Sequence, residues 1–500
     1  MLGRACQRVR KIASRPVSDG TSASARVARN TAIQAGGEIV SKVASLGFYV
    51  VMARELEPEG FGAFTFALSL AMLLTVLSDL GTDTILTREV ARARGNIHHL
   101  FWNSMALRAA GGAVSIAIAF AIVVLGDYST ETRIAVGLLI AAVLIELFAK
   151  TLYGAFRAYE DTAPIARAIM LQRIFTAAVG IAVMLAGGEV VAASVIYLIG
   201  ALIALAAVGR ELAHRHGRPR FQVSYGAAKE LALVALPMGI AGVFFTVLLR
   251  IDATMLSLMK GEVAVGIYGA GYRLLESTLF LSFAFVSSVV PTLSRLTRDT
   301  SPTIAAAYEK AAKVLVAALF PLGAVFALFA QPIVDLLYGA EYTDSATVLR
   351  LLGGATALYG LSYLAGYVLV AQDRQRIVPW AVGSITILNV LLNLVLIPAW
   401  SYNGSALATT ICELLVALVL SWFAVRAAGR ISLVRILAGG VAGTLAMCAV
   451  ALIFGMGWIG LILSLPAYVA VLLLVERRLF PDDVDMLLGA VRRRRRRATV

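Results

Sequence analysis

Long apolar stretches alternate with short polar ones along nearly the whole chain, and the alternation sets the element count. Segments of spanning length, about 20 apolar residues each, run over 30–53, 60–83, 100–125, 133–156, 163–186, 189–209, 229–252, 262–290, 308–330, 344–371, 376–398, 403–426, 433–455 and 456–476. Neither the period-2 pattern of strands nor a sustained polar helix face interrupts them. The pattern predicts an all-α integral membrane protein of about fourteen transmembrane helices. Between the last two segments only Gly455-Met456-Gly457 intervenes.

Composition agrees with this pattern. Of the 500 residues 60% are hydrophobic and 15% charged, and the mean hydropathy is +0.84. Soluble chains carry roughly 45–50% apolar and about 25% charged residues, so an ordinary water-soluble enzyme is excluded. The formal charge of +14 would suggest nucleic acid in a soluble protein. Here it reflects loop topology, because Lys and Arg collect on the cytoplasmic side. With the N-terminus inside, the inner tails and loops hold 34 Lys and Arg, the outer loops three (Arg54, Arg133, Lys260), and the spans the remaining seven of 44. Both termini are therefore expected in the cytoplasm. Residues 1–29 are Arg- and Ser-rich with one acid, Asp19, a composition shared with organellar transit peptides; no apolar core with a cleavage site marks a secretory signal. The Arg492 to Arg497 run would draw anionic headgroups.

The longest outer loop, 331–343, has 13 residues, which places the function inside the bilayer. Cys6, Cys412 and Cys448 are scattered, and His98-His99 and His214 with His216 lack cysteine partners; neither a disulfide framework nor a metal site is indicated. No phosphate-cradling glycine loop follows a strand, and no catalytic constellation stands in a solvent loop. The expectation is a non-enzyme without cofactor.

Charges within the spans carry the remaining chemistry, since each costs at least about 2.5–3.5 kcal/mol near the bilayer centre unless paired or wetted. The cations are Lys42, Arg108, Lys150, Arg173, Arg250, Arg273 and Arg350; the embedded acids are Glu38, Glu146, Asp252 and Glu413. Glu38 precedes Lys42, and Glu146 precedes Lys150, by four residues, so each pair shares a helix face. Arg350 lies near a span end and can snorkel. Arg273 sits near mid-span behind Gly266, Gly269, Ala270 and Gly271, with only Glu276 on its face; Arg173 has no acid within a turn. Guanidinium binds phosphate through paired donors, which makes Arg273, Arg173, Arg250, Arg108 and Lys42 candidate diphosphate-binding residues. The alternative for Arg273 is an interhelical bridge to Glu146 or Glu413. The four acids are candidates for carrying a proton or holding a sodium ion during transport.

An internal repeat shapes the architecture. Gly60-Phe61-Gly62-Ala63-Phe64 opens the second span and Ala264-Val265-Gly266-Ile267-Tyr268 the eighth, in the same setting. Spans 1–6 and 7–12 then form two like-oriented bundles around a central cavity, with spans 13 and 14 as an added pair. The expected division is a basic tail at 1–29, bundles at 30–209 and 229–426 joined by a linker at 210–228, the helix pair at 427–476, and a basic tail at 477–500.

These residues also carry a family resemblance. Glu59-Gly60-Phe61-Gly62, Arg250-Ile251-Asp252, the run Val265 to Leu274, Pro291-Thr292-Leu293-Ser294, Gly339-Ala340-Glu341-Tyr342, Ala371-Gln372-Asp373-Arg374, Asn389 and Asn393, Ile397-Pro398 and Asn403-Gly404-Ser405-Ala406 stand in order over residues 30–426. Together they resemble the polysaccharide flippases of the multidrug/oligosaccharidyl-lipid/polysaccharide (MOP) exporter superfamily. The resemblance implies a flippase that moves polyprenyl-diphosphate-linked oligosaccharide from the cytoplasmic to the outer leaflet of a bacterial inner membrane by alternating access. Lipid-linked oligosaccharide, membrane lipids and other polysaccharide-assembly membrane proteins are its implied partners, with no nucleic acid. The lipid II flippases of peptidoglycan synthesis are similar at Ser41-Lys42, Gly47-Phe48 and Tyr272-Arg273-Leu274, but their pattern places an Arg-Asp pair where this chain has Tyr49-Val50. Drug exporters of the superfamily lack the Asn403-Gly404 pattern. A membrane polymerase or ligase would need positioned acid–base groups in its outer loops.

Overall fold

In the computed structural model, residues 20–79, 81–82, 97–158, 161–217, 221–296, 302–429 and 431–482 are described. For 20–40, 97–98, 158, 237–238, 241, 290–296 and 302–303 this concerns the backbone alone. The N-terminal tail to residue 19, Arg88, Arg92 and Arg94, and the arginine run at 492–497 lie outside the described residues, as does the side chain of Glu38.

The elements are helices throughout: α1 (Gly20–Asp79), α2 (Ile97–Leu125), α3 (Thr130–Ala158), α4 (Ala163–Leu185), α5 (Val190–His216), α6 (Tyr225–Lys260), α7 (Glu262–Leu296), α8 (Pro302–Leu328), the short α9 (Ala330–Leu337), α10 (Ser345–Ala371), α11 (Ile377–Ala428), α12 (Leu433–Phe454) and α13 (Trp458–Leu479). Eleven of the described helices are long and apolar enough to cross a membrane. Two of them are double spans. In α1 the helix breaks at Glu57 (φ 55°) before Pro58, whose ring cannot continue the hydrogen-bond ladder. In α11 it breaks at Ser401 (φ 49°), beyond Pro398. The α7 helix, made polar at its centre by Arg273 and Glu276, supplies the fourteenth segment. Every expected span falls on a helix, although α1 starts ten residues earlier and α5 and α6 end seven and eight residues later than the apolar segments, and the chain is a multi-pass membrane protein.

α1 to α5 form one bundle, with α1 packed on α2, α3, α4 and α6; α6 to α11 form the other, with α10 packed on α7, α8 and α11. α12 and α13 pair with each other and rest on α8, where Lys313 bonds Glu476, and Tyr468 donates to Ala317 O at 2.7 Å. The bundles meet chiefly through α1 and α7. There the two copies of the repeat touch: a Cβ on Gly62 would overlap Glu262 O and Gly266 N, and one on Gly266 would overlap Pro58 O. Only glycine allows backbones this close.

One departure from expectation is the segment 331–343. It is α9 followed by a 3-10 turn at Ala340–Tyr342, not an irregular loop. Arg54 donates to Leu337 O (2.7 Å) and to Leu336 O, Tyr342 Oη to Ala53 O (2.9 Å), and Tyr338 Oη to Ala270 O (3.1 Å). Thr132 donates to Glu262 at 2.6 Å, and Tyr128 lies 3.2 Å from Ser257. All these contacts lie at the helix ends away from the inter-bundle linker, so that far face is closed. On the linker face, Asn103 accepts from Ser224 N at 3.0 Å and donates to Gln222 O at 3.3 Å, while Trp102 meets Phe221 edge-on.

Candidate functional site: a polar cavity between the bundles

A cavity of about 440 Å³ lies between the bundles, lined by α1, α3, α4, α5, α6 and α7. Lys42 and Tyr49 come from α1, Glu146, Lys150 and Tyr153 from α3, Gln172 and Arg173 from α4, Tyr197 from α5, Arg250 from α6, and Arg273 and Glu276 from α7. Four of the five candidate diphosphate-binding residues are thus brought together. Five cations face two carboxylates, a local surplus of positive charge that suits an anionic ligand in a low-dielectric setting.

Each bundle holds its cations around one acid. In the second bundle Glu276 accepts from Arg273 at 2.7 Å and also from Arg250. In the first, Glu146 accepts from Gln172 at 2.5 Å beside Arg173 and Lys150. Arg273 is therefore not bridged to Glu146 or Glu413, as its sequence alternative had it; its partner lies three residues on. The Tyr49 ring stacks on the guanidinium, 4.1 Å from Cζ to centroid, and Arg273 Nε is buried without a hydrogen-bond partner.

Arg108 stands apart from the cavity. It is 1% exposed, bonds Asp79 at 2.9 Å, and reaches Thr82 and Leu147 O. Arg350 is exposed near the start of α10.

The acids also separate. Asp252 is 1% exposed inside the second bundle, accepting from Asn393 Nδ2 (2.7 Å), Tyr268 Oη (3.0 Å) and Thr409 Oγ1 (2.5 Å). Asn393 Oδ1 beside it is buried without a hydrogen-bond partner. Glu413 takes a hydrogen bond from Ser362 at 2.5 Å. It lines a second cavity of about 250 Å³ among Phe245, Tyr272, Tyr359, Tyr363 and Tyr367. α6 and α7 separate the two cavities, with Leu249 and Tyr272 on one side and Arg250 and Arg273 on the other. Among the described residues no group of three or more His, Cys, Asp or Glu could hold a metal ion.

Glu276 is the residue that sequence reasoning left as a mere neighbour. Its signal was present, three residues after Arg273, but the second partner, Arg250, is 26 positions away on another helix.

The backbone is similar to that of solved structures. The lipid II flippase MurJ in an inward closed conformation matches with a TM-score of 0.75 over 90% of this chain and 99% of its own, at 14% identity. An inward-facing multidrug resistance MATE family transporter of the MOP superfamily matches with 0.62 over 77% and 93%, at 15% identity. At these identities the likeness establishes the fold. A probable low-salt glycan biosynthesis flippase, Agl15 of Haloferax volcanii, is 23% identical over 173 residues, 34% of this chain and 36% of that protein. The chain thus matches about a third of the length of this curated relative. The family described as "Polysaccharide biosynthesis protein" matches residues 27–297, more than half of the sequence, and the chain belongs to that family.

Proposed function

We propose that the protein is a flippase that carries a polyprenyl-diphosphate-linked oligosaccharide across a bacterial cytoplasmic membrane, from the inner to the outer leaflet, for surface polysaccharide synthesis. The observation that carries this reading is the cavity joining Lys42, Arg173, Arg250 and Arg273. Its cations hold the diphosphate, its tyrosines and Gln172 face the sugars, and the prenyl tail stays in lipid. The reading gains from family membership and from the kinship with a glycan flippase over part of the chain. Both termini lie in the cytoplasm in this scheme, and other polysaccharide-assembly membrane proteins act before and after it. The substrate leaves chemically unchanged. Against lipid II as substrate stands Tyr49, whose ring covers Arg273 where the lipid II pattern places a charged pair.

Transport follows from rocking of the two bundles about the shared cavity. With the far face closed, the cavity lining extends toward the linker face at Lys150, Tyr153 and Ile169, which is where a substrate from the inner leaflet would enter. Coupling is assigned to Asp252: its surroundings are oxygen-rich, with Asn393 Oδ1 unpartnered, a donor set suited to a proton or a sodium ion.

Translocation of labelled lipid-linked oligosaccharide in proteoliposomes tests the central assignment. Arg273→Ala removes charge and donors, and Arg273→Lys keeps the charge without the planar fork. Ala is expected to abolish flipping and Lys to restore part of it, with detergent melting close to wild type in both. Normal flipping by the Ala variant would remove Arg273 from the site.

A further inference from the structure

Arg250 and Arg273, on adjacent helices, share Glu276, and all three side chains line the polar cavity. A carboxylate that only buttressed the arginines would bond their far sides. Glu276 instead lines the cavity itself, at 22% side-chain exposure against 6% for Arg273, so it takes guanidinium donors within the space a ligand would enter. Tyr49 holds the guanidinium plane from another helix, so the arginine keeps its orientation if the carboxylate lets go. The charge-assisted bonds that Glu276 makes are of the same kind as those a phosphate oxygen would make. A carboxylate and a diphosphate also repel each other at close range in a medium of low dielectric.

We propose that Glu276 is a built-in competitor for the diphosphate, an anion that holds the two guanidiniums between transport events and returns to them as the ligand departs. This inference rests on the diphosphate reading of the cavity and adds a role for a residue which that reading does not use. Its physical content is a balance. Two neighbouring arginines in the cavity without a counter-anion would repel each other at low dielectric and would hold a diphosphate too tightly to release it. With the internal carboxylate, binding is an exchange of one anion for another, and release does not strand the cations.

The test compares wild type, Glu276→Gln and Arg273→Ala in detergent, with inorganic pyrophosphate as the probe and sulfate at equal ionic strength as the control. Binding is read by calorimetry, and lipid-linked oligosaccharide flipping is read in proteoliposomes. Glu276→Gln should bind pyrophosphate at least about tenfold more tightly than wild type, the change that about 1.4 kcal/mol makes in an equilibrium. It should also flip its substrate more slowly at saturating concentration. Glu276→Asp, which keeps the charge on a shorter arm, should fall between them and decides the matter by the same readouts if the Gln variant does not fold. Pyrophosphate bound by wild type and lost in Arg273→Ala, but bound no more tightly by Glu276→Gln, overturns the competitor role and leaves the cavity reading standing. Pyrophosphate ignored by every variant, or matched by sulfate, overturns the diphosphate reading and the competitor with it.

Discussion

Arg108 and Arg273 are both buried arginines near the middle of apolar spans, and their partners separate them. Arg108 is satisfied by Asp79, Thr82 and a main-chain carbonyl on two neighbouring helices, whereas Arg273 opens onto a cavity. The sequence singles out Arg273 by its depth and the small residues before it, but it does not show the helices that face either arginine, so both stand there as candidate phosphate ligands. The acids divide in the same way. Asp252 sits among amides and hydroxyls, Glu413 among tyrosines and aliphatic side chains. In proteoliposomes with an imposed sodium or proton gradient, Asp252→Asn should bring the ratio of flipping with and without the gradient down to about one. Glu413→Gln should keep the wild-type ratio. The reverse pattern would move coupling to the apolar cavity.

Apolar length made the spanning helices legible, because a segment in lipid must satisfy its backbone within itself. The same rule hid α9. Its eight residues are too few to register as a span, and its role appears only through the bond of Arg54 to its last carbonyls and that of Tyr342, in the turn after it, to Ala53, on a helix some 280 positions earlier. The α1–α7 contact offers a test at this scale. A methyl on Gly266 meets the Pro58 carbonyl, and overpacking of this kind costs about 1–3 kcal/mol, which weakens the far-face closure. With a reporter cysteine at the buried Val265, in a background without the native cysteines, Gly266→Ala should raise labelling by an impermeant thiol reagent about tenfold. An unchanged rate would show that the far face is held shut elsewhere.

The whole molecule is a pair of bundles whose shared cavity is polar and whose second bundle holds an apolar cavity of its own, with α6 and α7 between them. The count of Lys and Arg in the loops predicts its orientation, and that prediction is independent of the cavity chemistry. Cysteines replacing Asp127 and Ser401 should react with an impermeant reagent added outside intact cells, and one replacing His214 should not. Labelling at His214 would reverse the sides and, with them, the direction of transport.

The glycine pair where the bundles meet has a bearing on how such a protein can change over generations. Cavity cations and tyrosines are side chains, and one can be traded for another as the ligand changes. At Gly62 and Gly266 the obstacle facing each position is main chain, which has no smaller alternative. A substitution at either glycine therefore cannot be offset by a reciprocal change at the other. The contact between the bundles is held to one solution while the cavity lining stays free to diversify.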